Sequence, residues 1–201
     1  PPFVRCSAGR FLPTLRRMPK PSDIELPDGT VIPILFEDRS ALVIDKPAGW
    51  LLAPAEWTET DRNLNLALLS GIRGGEHWAK SRGLKFLRFV HRLDADTSGA
   101  VLFVKSQGAV AAFSDLFETR SIAKRYFAVV QPPPTKTEWT SRMRLAPDAK
   151  ERGRVAVDAK RGKTAETHFR TVEVAGDKAL VLAMPVTGRQ HQIRRSEEHT
   201  S

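Results

Sequence analysis

Two short segments constrain this chain most: His91-Arg92-Leu93-Asp94-Ala95-Asp96-Thr97-Ser98-Gly99 and Gly188-Arg189-Gln190-His191-Gln192-Ile193-Arg194. Each sets charged residues among apolar ones inside sequence that is otherwise strand-like. A carboxylate carried into an interior is costly unless it is paired. Each segment can supply what the other lacks, Asp94 the negative charge and Arg189 the positive one. They are far apart along the chain, so such a pairing is tertiary and the fold must bring the two together. Taken alone, either segment reads equally well as a strand end with ordinary exposed charges.

The remaining composition narrows the class. A chain of 201 residues, 41% hydrophobic and 27% charged, fits one globular domain with a sizeable core. Lys and Arg number 32 against 23 acids, a net charge of +9, which favours an anionic partner such as RNA. The single cysteine, Cys6, excludes an intrachain disulfide, and neither it nor the five scattered histidines has metal-ligand spacing. No metal site is expected. No apolar run approaches the roughly 20 residues needed to cross a bilayer, so no membrane partner is expected. A reducing, cytoplasmic setting is the simplest reading. An organellar transit segment stays open, because the start of the chain is basic and poor in acids.

Residues 1–25 are expected to be irregular, since Pro1, Pro2, Pro13, Pro19 and Pro21 interrupt any regular element and Asp28-Gly29 reads as a turn just beyond. Ala41–Ile44 is a short buried strand, ended by Pro47 and Gly49. Leu64, Leu66, Leu68 and Leu69 mark a short helix that Gly71, Gly74 and Gly75 terminate. Ala100–Val104 is a second buried strand, and the spacing of Val110, Phe113 and Phe117 predicts a helix near 107–119. Tyr126–Val130 is β-rich and stops at Pro132-Pro133-Pro134. Thr164–Val174 and Ala179–Val186 form a hairpin around Gly176-Asp177. The fold class is α+β, with strands outnumbering helices.

Four ordered segments carry a resemblance. Ile34–Asp38 running through Val43-Ile44-Asp45-Lys46-Pro47-Ala48-Gly49 is similar to the opening motif of the RluA-type family of RNA pseudouridine synthases. His91–Gly99 resembles its central motif, Ala123–Val130 its tyrosine motif and Gly188–Arg194 its closing arginine motif. The resemblance spans roughly residues 34–194. It implies a large, mostly antiparallel sheet with flanking helices around a central cleft. It also implies isomerisation of uridine to pseudouridine in ribosomal or transfer RNA, a reaction that needs no redox change, metal, cofactor or energy source.

By the same resemblance Asp94 is the essential carboxylate. Attack on ribose C1′, addition at uracil C6 and removal of the C2′ proton are all open to it. Tyr126, the only tyrosine of the chain, matches the active-site tyrosine, able to stack on uracil and to act through its oxygen. Arg189 is expected to pair with Asp94 and keep it ionised, and Ile193 to form part of an apolar wall. Arg92 is a candidate for filling the space of a flipped base or for contacting phosphate. Thr97, Ser98 and Gly99 suit a close approach of backbone to ribose-phosphate. His91 reads as structural rather than as a general base.

Between Arg142 and Lys163 eight basic and three acidic residues make either a phosphate-binding flank or a solvated charged hairpin. Two departures from the family pattern stand at Ala53, where histidine is frequent, and at Gln190, where threonine is frequent. The expected organisation is an irregular segment at 1–25, a catalytic domain at 26–194 that is incomplete at its C-terminal end and acts as a monomer, and a non-native tail at 195–201. That tail resembles adapter read-through and is expected to be disordered. Two other functions compete: an inert RNA-binding protein using the same cleft, and a glycoside-processing enzyme pairing Asp94 with a second acid such as Glu37.

Overall fold

The computed structural model describes residues 19–52, 62–148, 151 and 153–197. The described strands form two five-stranded sheets, and every paired neighbour is antiparallel. The first sheet has the order β1-β2-β3-β5-β4, from β1 (Asp23–Glu25), β2 (Val31–Glu37), β3 (Ala41–Lys46), β4 (Arg88–Phe89) and β5 (Gly99–Val104). Its centre follows from the two short apolar runs Ala41–Ile44 and Ala100–Val104. Leu42 sits opposite Phe103 and Ile44 opposite Val101, and all four are fully buried. Strand β1 lies within the stretch expected to be irregular. Its three residues suffice because Ile24 is buried against the core and pairs with Ile32.

Helices α1 (Leu64–Gly74) and α2 (His77–Lys80) complete this core through Leu64, Leu68, Trp78 and Ala79. The Asn63 side chain caps α1 by accepting from the Leu66 N–H, and Gly75, in the left-handed region at φ 70°, ends it. Gly71 does not terminate α1 as expected but lies inside it. A Cβ there would stand 2.8 Å from the Trp78 ring, so the glycine makes room for the indole rather than breaking the helix.

The second sheet has the order β6-β10-β9-β7-β8: β6 (Tyr126–Val130), β7 (Glu138–Pro147), β8 (Val155–Val157), β9 (Lys163–Ala175) and β10 (Lys178–Pro185). Strands β9 and β10 form the hairpin expected around Gly176-Asp177. Phe169, Ala179, Val181 and Ala183 make its core, and the Trp139 and Phe169 rings stack at 5.0 Å. Helix α3 (Ala109–Glu118) connects the two sheets along the chain, and Tyr126 packs against the cores of both. The fold is therefore α+β with antiparallel sheets.

Helix α4 (Gln192–Glu197) crosses the point where the tail was expected to begin. Arg195, Ser196 and Glu197 are helical, not disordered. Ser196 is buried and its hydroxyl donates to the Gln192 carbonyl. Residues 198–201 lie outside the described residues, as does Ala53.

Candidate active site

A cavity of about 830 Å3 opens where four pieces of chain converge. They are the β4–β5 connection (His91 to Asp94, and Thr97), the end of α3 (Phe117, Glu118, Arg120), the run into β6 (Lys124, Tyr126 to Ala128), and the β10–α4 connection (Pro185 to Arg194). The two segments that opened the sequence reading therefore face one space.

A buried cation shapes the first of these. Lys46, fully buried at the end of β3, donates from Nζ to the carbonyls of Pro47 (2.9 Å), Trp50 (2.8 Å) and Ala95 (2.9 Å). The Gly49 N–H donates to the same Ala95 carbonyl at 2.8 Å. Ala95 follows Asp94, so the loop carrying the carboxylate is tied to the opening motif beside it. The Thr97 N–H closes a turn onto the Asp94 carbonyl at 3.1 Å. Burial lowers the Lys46 pKa, and the charges of Asp96 and Asp94 oppose that shift. Gly99, at φ 123°, takes a backbone conformation that a side chain would resist as the loop enters β5.

Asp94 is half-buried on the cavity wall. The side chain within ion-pair distance is not Arg189 but His191, whose Nε2 lies 3.9 Å from the carboxylate and whose ring carries charge only when protonated. His191 is in the left-handed region at φ 51°, in the turn before α4. Arg189 is exposed. Its backbone N–H donates to the Gln192 side chain at 2.9 Å, and its Nε donates to the Thr164 carbonyl at 3.1 Å. The expected buried Asp94–Arg189 pair is thus absent among the described residues. The turn and the end of β9 draw the guanidinium away from the carboxylate, although both residues line the cavity.

Tyr126 lines the cavity at the start of β6. Burial raises its pKa and the charge of Asp94 adds to the rise, so the phenol is protonated at neutral pH. His91 accepts from the Leu102 N–H at Nε2 (3.0 Å) and stacks on Phe117 with ring centroids 4.7 Å apart. Burial first, and the Lys124 charge second, push its pKa down to about 4, so the ring is neutral. A base that weak, with one nitrogen already engaged, suits a structural role.

Arg92 and Thr97 line the cavity, and Ile193 lines it while packing on the Phe169 core. Ser98 and Gly99 do not line it; their place is the entry to β5. Sequence reasoning gave no role to Lys46 or Gln192. Buried Gln192 accepts from the Thr187 hydroxyl (2.7 Å) and the Arg189 N–H, and donates to the Glu166 carbonyl (2.9 Å) and the Thr167 hydroxyl (2.8 Å). It pins the closing motif to β9. The signal for Lys46 was visible as a lysine ending an apolar strand. Nothing in the sequence marks Gln192 as buried.

Glu37, the candidate second acid, is not among the cavity residues. Lys105 (2.7 Å), Arg82 (2.9 Å) and Lys20 (3.2 Å) surround it. That removes the carboxylate pair on which a glycoside-processing reading depends. Among the described residues no cluster of His, Cys, Asp and Glu could hold a metal ion.

Comparison with known proteins identifies the family and the fold. Residues 40–199 match the family model described as RNA pseudouridylate synthase. The chain is 34% identical over 167 residues to a protein named ribosomal large subunit pseudouridine synthase C from Yersinia pestis, an alignment covering 80% of this chain and 47% of that protein. It is 33% identical over 184 residues to ribosomal large subunit pseudouridine synthase D from Zymomonas mobilis, covering 88% of this chain and 55% of that one. The chain thus spans about half the length of the curated relatives it matches. Among solved structures, human RNA pseudouridylate synthase domain containing 1 superposes with a TM-score of 0.62 at 25% identity, over 81% of this chain and 62% of that one. Human RNA pseudouridylate synthase domain containing 4 shares the fold with a TM-score of 0.63 at 21% identity, over 80% of this chain and 61% of that one. On the extent of the family match, this chain belongs to the RNA pseudouridylate synthase family.

Proposed function

We propose that this protein isomerises uridine to pseudouridine in structured RNA, with Asp94 as the essential carboxylate. The observation that carries the reading is the Asp94 carboxylate beside a protonated, half-buried Tyr126 in a cavity of about 830 Å3, within the usual range for ligand pockets. The reaction breaks the bond between ribose C1′ and uracil N1 and rejoins C1′ to C5; C5 gives up its proton and N1 gains one, so the product is an isomer. Three first steps are open to the carboxylate: attack at C1′, addition at C6, or removal of the C2′ proton. Tyr126 offers its ring for stacking on uracil and its hydroxyl as a hydrogen-bond donor. Its raised pKa argues against a resting phenolate base. Ile193 and Leu93 supply apolar wall. Arg189, at the cavity rim, contacts the substrate rather than holding Asp94 in advance, and Arg92 stands where a flipped nucleotide would enter.

Ribosomal RNA is the favoured substrate class, because the relatives' names specify the ribosomal large subunit; transfer RNA is the alternative. The protein acts as a monomer on cytoplasmic RNA in this reading. The direct test is mass spectrometry of total RNA after chemical tagging of pseudouridine, with and without the full-length gene. Loss of pseudouridine at one or a few uridines is expected on deletion. An unchanged pseudouridine map leaves only the reading in which the cleft binds RNA without acting on it.

A further inference from the structure

The end of helix α3 carries a residue that the backbone disfavours. The Arg120 N–H donates to the Phe117 carbonyl (3.2 Å) and the Ser121 N–H to the Leu116 carbonyl (2.9 Å). This is the pattern of a helix closed by a left-handed residue, the position where glycine is usual. Arginine occupies it here, at φ 60°. A Cβ at that φ costs stability that glycine would not. Arg120 nevertheless lines the cavity, on the same wall as Lys124.

Neither cation has an acid partner within ion-pair distance among the described residues. Lys124 donates from Nζ to the Thr187 carbonyl (3.3 Å), and its ammonium lies 3.4 Å from where a Cβ on Gly188 would stand. Glu166 feels the charge of Arg120, but its carboxylate is held by Arg142 at 3.1 Å. Glu118 lines the same wall, is exposed and makes no ion pair with either. Burial, and then the charge of Arg120, lower the Lys124 pKa. Two cations on one cavity wall, one exposed and one half-buried, with no acid in ion-pair contact among the described residues, make a site for an anion.

We infer that Arg120 and Lys124 form a phosphate subsite that takes a phosphodiester of the RNA backbone next to the target nucleotide. The inference rests on the proposal that the cavity receives RNA. It adds a polarity to the cavity. The phosphate is held at the Arg120–Lys124 wall, which orients the nucleotide so that its ribose and base face Asp94 and Tyr126. The strained arginine is then explained, because glycine would relax the helix end but remove the charge.

The test exploits that opposition. R120G and R120N in the full chain both suit the left-handed conformation and both remove the charge. The probe is a fluorescently labelled single-stranded oligouridylate, titrated over a range of salt concentrations alongside thermal unfolding. R120G is expected to raise Tm by about 2–4 °C. Affinity should nevertheless fall about fivefold at 0.1 M salt, and the log–log salt slope should shrink by about 0.7. K124Q should shrink the slope by a similar amount. Wild-type affinity and slope in both Arg120 variants would overturn the subsite while leaving the RNA reading intact. Weaker binding together with a lower Tm in both would also overturn it, since Arg120 would then be holding the fold. Wild-type binding that ignores salt would overturn the subsite together with the electrostatic reading of the surface, and would leave the assignment of Asp94 untouched.

Discussion

Lys46 shows how much one residue can hold in this site. Its ammonium is buried with no carboxylate in contact among the described residues and satisfies three carbonyls at once, one of them in the loop that carries Asp94. Replacing it with methionine keeps the apolar stem but strands those acceptors. K46M should therefore lose roughly 3 kcal/mol or more of stability, read by urea unfolding. Arg189 is the contrasting case. It is exposed and makes a single side-chain hydrogen bond to backbone, so R189M should change stability by no more than about 0.5 kcal/mol. Turnover should still fall if the guanidinium contacts substrate as proposed. A large loss of stability in R189M would restore the buried pair that the structure replaces. The positions of Asp94, Tyr126 and Arg189 on one cavity were legible from motif resemblance. Their pairing was not, because it depends on the left-handed turn at His191 and on the buried Gln192 that fixes Arg189. Turn geometry of that kind leaves little trace in residue type when glycine is not used.

Among the elements, α1 offers a test in which packing and propensity disagree. Alanine at position 71 would improve helix propensity by about 1 kcal/mol. The new methyl would stand 2.8 Å from the Trp78 ring, and overpacking of this kind costs about 1–3 kcal/mol. G71A should be destabilising, as a lower midpoint in chemical unfolding would show. The first sheet also carries an acid-sensitive tie. Burial alone would raise the Glu37 pKa. Hydrogen bonds from Lys105 and Lys20, with the charge of Arg82, overcome that and hold it at about 2 instead of 4.5. The carboxylate therefore contributes stability that is full above about pH 4.5 and is lost as the pH falls toward 2. Solvent screening of this partly exposed cluster reduces that contribution to about 1–2 kcal/mol at neutral pH. His91 acts in a separate window. Its folded pKa of about 4 lies below the ordinary 6.5, so unfolding takes up a proton and stability falls as the pH drops from 6.5 to 4. E37Q should flatten the lower part of the acid limb and H91N the upper part, as stability curves at several pH values will show.

Strands β3 and β5 were readable as short apolar runs, α3 from the helical spacing of Val110, Phe113 and Phe117, β6 from its β-rich composition and the β9–β10 hairpin from the Gly176-Asp177 turn. The short elements β1, β4, β8 and α2 were not, since they have too few residues to establish a pattern. Helix α4 was missed for another reason. Its polar residues are buried through the Gln192 and Ser196 hydrogen bonds, which hydropathy cannot register.

On the scale of the whole molecule, the two sheets supply separate cores, and the cavity gathers chain from both. The net charge of +9 predicts that binding is driven by phosphate neutralisation. If about four to six phosphates are contacted, the log–log slope of affinity against salt should be roughly −3 to −5. Affinity that hardly changes from low to moderate salt would count against an RNA-binding surface while leaving the chemistry at Asp94 untouched. The chemistry itself rests on one carboxylate. It is half-exposed on the cavity wall, faces His191 at 3.9 Å and acts electrostatically on Tyr126. Asparagine at this position keeps the shape and removes the charge. The most direct measurement is therefore single-turnover conversion of uridine by purified Asp94→Asn protein on the RNA identified by pseudouridine mapping, with RNA affinity measured in parallel. The expected result is no detectable pseudouridine with affinity within several-fold of the parent; turnover near the parent rate would contradict the assignment of Asp94 as the essential group.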